Sequence, residues 1–279
     1  MLKLKFKYFK ITLVLMSFLF NLHAQNSLKP ATDNSNSENP KLPPHIINNE
    51  AFDVGEILEF DVRYGFIVAG KAVLSIPSYE YYNGRKSYYV ESRVNSLPFF
   101  STFYKVEDLY ISVIDAEGIF PWRFEQHIRE GRYKRDFEAE FDHQSSIAKT
   151  SEGVYPIEPY VHDIVSAFYY TRTLDFSHMK PGQKITLRNF FKDTIYALEV
   201  KYKGKQQVEV KAGKFNCIIV EPIIQEGGLF KSEGTLHIWL TDDKRKIPVM
   251  VKSKILIGSI TAELTKYSGI LGEIEARVK

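Results

Sequence analysis

The 279-residue chain is short of several things, and each shortage removes a class of explanation. It has one cysteine, Cys217, so no disulfide can form within it, and stability must come from a core large enough to do without covalent staples. Cys217 lies in the apolar run Phe215-Asn216-Cys217-Ile218-Ile219-Val220, where a thiol acts as a small buried hydrophobe rather than a reactive group. Long apolar runs are missing too. The low-polarity stretch Ile11 to Phe20 counts ten residues, whereas a membrane helix needs ~20. Nor does one sign of charge dominate. The formal charge of +3 becomes −1 once the four lysines of the first 24 residues are set aside, so no bulk field draws nucleic acid to the chain.

Catalytic spacing is also absent. Beyond residue 24 the histidines are His45, His127, His143, His162, His178 and His237. None are paired as HxH, HxxxH or HExxH, the spacings that put two imidazoles on one metal. These histidines are expected at the surface or satisfied by hydrogen bonds. There is no GxSxG, no Gly-rich phosphate loop and no Cys–His constellation, and Ser75, Ser166 and Ser259 stand without a local motif. The pair Asp242-Asp243 sits in Thr-Asp-Asp-Lys-Arg-Lys, which reads as a turn whose acids are balanced by the following cations. The expectation is a protein without enzymatic activity, cofactor or metal. A hydrolase would need its site assembled from distant strands.

What is present begins with the amino terminus. Lys3, Lys5, Lys7 and Lys10 precede the short apolar run, and Leu22-His23-Ala24 precedes Gln25. A positive flank, a short apolar segment and a small residue are the grammar of a cleaved secretory signal, predicted over residues 1–24. No cysteine follows it, so a lipid anchor at that point is not expected, and the mature chain should carry no transmembrane segment. Residues 25–45, rich in Asn, Ser and Pro, form a leader with too little apolar surface to fold. The remainder, 46–279, is predicted as one domain.

Its strongest pattern has period two, the mark of strands with one buried face. Leu58, Phe60, Val62 and Tyr64 share a face, and Trp122 and Phe124 oppose Arg123, Glu125 and His127. From Arg135 to Asp142, Phe137, Ala139 and Phe141 alternate with Asp136, Glu138, Glu140 and Asp142. Asn83-Gly84 between Tyr-rich segments is a strong hairpin signal, because both central positions of a type I′ turn need positive φ. Glu130-Gly131, Lys203-Gly204 and Thr241-Asp242-Asp243 are read as further turns. One segment departs from the pattern: around His162 to Leu174, Val161, Ile164, Val165 and Phe168 recur at helical spacing, with Asp163 in the first turn. The predicted fold is therefore mainly β, a large, strongly curved antiparallel sheet or barrel of about a dozen strands. One mid-chain helix, 161–174, should pack on its concave side or at its mouth.

Aromatic residues make up 14% of the chain, and many fall at inward positions. They can pack as an ordinary core. A wide curved sheet can instead enclose an apolar cavity, whose candidate walls are Phe60, Tyr64, Trp122, Phe124, Phe137, Phe141 and Phe168. Leu229 and Phe230, after Gly227-Gly228, are lid candidates. The basic tip from Arg129 to Arg135 reads as a solvated turn, or as a dock for an anionic headgroup or partner through Arg129, Arg132, Lys134 and Arg135.

Several segments together carry a family likeness. They are Gly55-Glu56-Ile57-Leu58-Glu59-Phe60 with Tyr64-Gly65, the helix with Phe168-Tyr169-Tyr170 and Arg172, Gly213-Lys214-Phe215, and Gly228-Leu229-Phe230. Ile238-Trp239-Leu240-Thr241-Asp242-Asp243 with Ile247-Pro248-Val249, and Gly258-Ser259-Ile260 with Glu263-Leu264, complete the set. The chain resembles the exported bacterial domain-of-unknown-function family 3108 over residues 50–267. The resemblance implies a Gram-negative, periplasmic, mostly β protein with no assigned activity. At fold level it is also similar to periplasmic lipoprotein-carrier half-barrels, an analogy that does not fix function. The leading expectation is a periplasmic protein that binds or carries an apolar or amphiphilic ligand, such as a lipid, acyl chain or lipoprotein. An envelope scaffold or assembly factor, recruiting an envelope protein through its outer surface or a free sheet edge, is the alternative.

Overall fold

The computed structural model describes residues 44–225, 236–255 and 258–279. The predicted signal segment, nearly all of the leader and the lid candidates Leu229 and Phe230 lie outside the described residues.

Among the described residues, fourteen antiparallel strands form one sheet, in two meanders. The first comprises β1 (Ile57–Tyr64), β2 (Ile67–Tyr82), β3 (Arg85–Ser96), β4 (Glu107–Asp115), β5 (Pro121–Glu130), β6 (Tyr133–Asp142), β7 (Ile147–Thr150) and β8 (Gly153–Pro156). The second comprises β9 (Lys184–Phe191), β10 (Thr194–Val210), β11 (Gly213–Gln225), β12 (Leu236–Thr241), β13 (Pro248–Lys254) and β14 (Ser259–Ser268). The meanders join where the first strand pairs with the last, Ile57 opposite Ser268 and Tyr64 opposite Ile260. That junction leaves β8 and β9, consecutive in the chain, as the two edges. The sheet is curled but not closed. Phe141 on β6 and Tyr155 on β8 meet Phe190 of β9 at ring-centroid distances of 5.8 and 6.3 Å, so side chains rather than a hydrogen-bonded ladder bridge the seam.

The alternation works as read. Phe137, Ala139 and Phe141 are buried while Asp136, Glu138 and Glu140 are exposed, and Asn83 and Gly84 both take positive φ between β2 and β3. Two details differ. The Lys203-Gly204 turn is instead a bulge inside one long strand, β10, where Gly204 at φ +114° shifts the register against β11. The four-residue strands β7 and β8 are too short to show a period in the sequence.

There are two helices among the described residues. The short α1 (Pro98–Ser101) lies in the β3–β4 connection. The mid-chain helix, α2, spans Ile164–Thr173. Asp163 is its N-cap rather than a first-turn residue, accepting hydrogen bonds from the backbone N–H groups of Val165 and Ser166. The carboxylate also takes the hydroxyl of Ser112 on β4 at 2.6 Å. His162 leaves the helix and instead bridges to Asn189 of β9.

The register fixes two ends. At one lie the start of β1, the β2–β3 and β12–β13 turns and the carboxy-terminal end of α2; we call it the helix end. At the other, the rim, lie the β1–β2, β3–β4 and β5–β6 connections.

Candidate functional site

The helix end is built around a buried charge pair. Arg172, in the last turn of α2, makes a two-pronged contact with Glu56 at 2.6 and 2.7 Å, and both side chains are fully buried. Its guanidinium also donates to the carbonyls of Ala51 (3.4 Å) and Arg245 (3.2 Å). One side chain thus ties together the helix, the irregular segment that leads into β1 and the β12–β13 turn. The amino-terminal segment is pulled into place by the same logic. Asn49 accepts from the N–H groups of Ala51 and Phe52, and the Phe52 ring meets Tyr88 and Tyr169 edge-on at 5.4 and 4.7 Å. Arg172 lies 5.1 and 5.2 Å from the faces of Phe52 and Tyr169.

Beside this lock opens a pocket of about 600 Å³. Ile46, Ile47, Tyr170 and Leu174 give it apolar wall; Glu50, Asp175, Lys244 and Lys246 give it charge. Lys244 is paired with Glu50 at 2.9 Å. Burial holds the Lys246 ammonium below the usual lysine range, opposed by Asp175, Asp243 and Asp242. Asp243 organises the turn that presents both lysines, accepting from Thr241 Oγ1 and from the N–H groups of Arg245, Lys246 and Ala276. The Asp242-Asp243 pair is a turn, as read, and Asp242 pairs with Lys205 at 2.7 Å. No sequence pattern pointed to this pocket. Its walls come from segments more than 190 residues apart, as the Lys244–Glu50 contact illustrates.

The inward aromatics are placed differently from one another. Phe60, Phe124, Phe137 and Phe141 are buried in one continuous core cluster, with Phe168 and Tyr64 partly buried against it. Phe124 and Phe137 stand 6.3 Å apart. Trp122 lies outside that cluster. Its ring stacks on Tyr82 at 5.9 Å and meets Phe120 and His143, and its indole N–H donates to Asp115. The core's inner face is not wholly apolar. Asp108, Tyr110 and Gln126 are buried on it, and desolvation pushes the Asp108 carboxyl up to about 6.

Two histidines expected at the surface or hydrogen-bonded are deeply buried. His143 is held between the Pro121 carbonyl, on Nε2 at 2.7 Å, and the Tyr160 N–H, on Nδ1 at 3.1 Å. A carbonyl can only accept and an N–H can only donate, so the ring is neutral with its proton on Nε2. Desolvation lowers its pKa to about 4. His162 is also buried, and desolvation takes it to about 3. Cys217 is free and buried, its thiol pushed up to about 12 by desolvation. Among the described residues no three His, Cys, Asp or Glu side chains gather as a metal site would require.

The basic β5–β6 tip divides. Arg129 is bound by Asp136 at 2.7 Å and Arg135 by Glu152 at 3.0 Å, with Arg135 largely buried. Arg132 and Lys134 are exposed and make no ion pair among the described residues.

The family model for "Protein of unknown function (DUF3108)" matches residues 59–265. No curated protein matches the sequence. A solved β-barrel-like protein of domain of unknown function DUF1849, from Brucella abortus, is similar at 10% identity and TM-score 0.50. The alignment covers 79% of this chain and 99% of that one. A candidate exported protein with a YmcC-like fold from Bacteroides fragilis aligns at 10% identity and TM-score 0.35, over 80% of this chain and 99% of its own. A candidate lipoprotein from Parabacteroides distasonis aligns at 8% and 0.36, over 81% and 100%. The first of these shows the barrel-like fold. No helix among the described residues is long and apolar enough to cross a membrane.

Proposed function

The chain belongs to the DUF3108 family of unknown function, and from that premise we propose that it is an exported, periplasmic, non-enzymatic protein that binds or carries an amphiphilic, acyl-chain-bearing ligand. The observation that carries this reading is the pocket at the helix end. Its volume of about 600 Å³ suits a small amphiphile, and its wall is divided as such a ligand is divided. Ile46, Ile47, Tyr170 and Leu174 offer apolar contact to a chain, and Lys246 offers a cation to an anionic head. The aromatic interior supports the pocket from behind, because Phe52 and Tyr169 hold the segment that forms its floor. The amino-terminal signal pattern supports export.

The test is native mass spectrometry of protein expressed from its full sequence, processed by the cell and purified without detergent, followed by organic extraction. A stoichiometric adduct of lipid mass, lost in Leu174→Glu and weakened in Lys246→Glu, is the expected result. A clean apo mass that persists after incubation with envelope lipids would overturn the reading.

A further inference from the structure

The rim carries what the helix end hides. Phe66 in the β1–β2 turn is 86% exposed, Phe99 on α1 is 68% exposed and Phe103 just after it is 64% exposed. Ile67 and Tyr133 add exposed apolar surface at the same end. These are not scattered positions. The β1–β2 turn, the β3–β4 connection and the β5–β6 tip follow one another along the curled sheet. Leu97 N–H donates to Ala69, near the start of β2, and Gly131 N–H to Lys105, so the β3–β4 connection is tied to β2 on one side and to the β5–β6 tip on the other. Phe99 meets Phe103 ring to ring at 5.6 Å while both keep most of their surface in water. Soluble proteins seldom spend phenylalanine this way, and clustered exposed apolar surface marks an interaction site.

Charge identifies the partner. Arg132 and Lys134 project from the β5–β6 tip beside the aromatic connections, and Lys254 is exposed where β13 ends at the rim. None of the three is engaged in an ion pair among the described residues. Other cations of this end are neutralised: Lys105 by Glu107 at 2.8 Å, Arg129 by Asp136 and Arg135 by Glu152. Aromatic tips on separate loops, ringed by cations, match the interfacial layer of an anionic bilayer. There the rings sit at the acyl boundary and the cations meet phosphate. Projecting rings flanked by unpaired cations fit a fluid anionic surface, which takes them up without a matching pocket.

We propose that the rim is a docking surface for an anionic phospholipid bilayer, with Phe66, Phe99 and Phe103 entering the interface and Arg132, Lys134 and Lys254 contacting headgroups. The docking stands whether or not the helix-end pocket holds a ligand, since the two lie at opposite ends of the strands.

The experiment is co-sedimentation of the cell-processed protein with vesicles of phosphatidylethanolamine containing phosphatidylglycerol, with vesicles of phosphatidylcholine alone as the neutral comparison. The wild type is expected to partition onto the anionic vesicles, with binding that falls as salt is raised. The triple variant Phe66→Ser/Phe99→Ser/Phe103→Ser should lose about tenfold or more of that binding. Arg132→Glu/Lys134→Glu should weaken it and flatten the salt dependence. All variants share the same amino terminus, so any contribution from it cancels, and circular dichroism melts identify a variant that has not folded. Equal partitioning of wild type and triple variant would overturn the proposal. So would a wild type that ignores anionic vesicles, or a wild type that sediments as a dimer which the triple variant dissolves without any difference on vesicles.

Discussion

The two ends of this sheet solve opposite problems with the same residue types. At the helix end a charge pair and its aromatic neighbours are buried: Arg172 and Glu56 are fully enclosed, and Phe52 is packed between Tyr88 and Tyr169. At the rim, three phenylalanines and two cations are left open: Phe66, Phe99 and Phe103 face water beside Arg132 and Lys134, which make no ion pair among the described residues. A phenylalanine means stability in one place and contact in the other, and composition alone does not distinguish them. The difference makes the molecule directional, with a locked end that holds shape and an open end available to a surface.

Breaking the lock should have the largest effect. Arg172→Met leaves the Glu56 carboxylate buried without its partner, and stability in urea should fall by about 3–5 kcal/mol. Adding Glu56→Leu to it should return much of the loss, because the uncompensated charge is then gone; a double variant as unstable as the single would show that the pair's geometry, not its charge, holds the end together.

The same substitution at the two kinds of site gives the sharpest contrast. Phe141→Ala removes a ring packed against Phe190 and His143, and should cost about 3–4 kcal/mol. Phe66→Ala, at an 86% exposed position, should stay within about 0.5 kcal/mol. Similar losses in parallel denaturant titrations would erase the distinction between the ends.

A smaller effect follows from acid. Burial holds the folded pKa of His143 at about 4, below the ordinary imidazole value of 6.5, so the unfolded chain binds more protons between those values. Its contribution is complete above pH 6.5 and drains away as pH falls towards 4, reaching about 2 kcal/mol at pH 5. Asp163, pushed up to about 6 by burial, titrates in the opposite sense, so the measurement is wild type against His143→Gln. The variant should be less stable at pH 7 and should close about 2 kcal/mol of that gap by pH 5. A gap that does not change with pH would mean that the ring is not held neutral.

Much of the fold was legible because it is local. Alternation at Phe137, Ala139 and Phe141 needs only neighbouring residues to report a face, and Asn83-Gly84 reports a turn through backbone preference alone. The helix appeared through spacing, although Asp163 proved to be the cap, because a short acidic side chain satisfies the free N–H groups better from outside the first turn. Lys203-Gly204 misled for an equally physical reason: positive φ at glycine serves a bulge as well as a turn. The candidate site was far less legible. The link between Glu56 and Arg172 spans 116 residues, and it exists only because the curl of the sheet brings α2 to the start of β1. The pocket walls share that origin. Arg129 and Arg135 could not be told from Arg132 and Lys134 by composition, because their difference lies in whether Asp136 and Glu152 stand opposite.

The pairing of β1 with β14 sets a timetable. Every other ladder joins strands adjacent in the chain, so each can form as soon as its second strand is made. β1 alone must wait for a partner about two hundred residues downstream, as the match of Ile57 with Ser268 records. Until that partner is in place, one side of the strand stays unpaired. For that interval the folding chain carries an open template for β-addition, and a chaperone that covers β1 until the last strand arrives would protect the molecule when it is most prone to pair with the wrong neighbour.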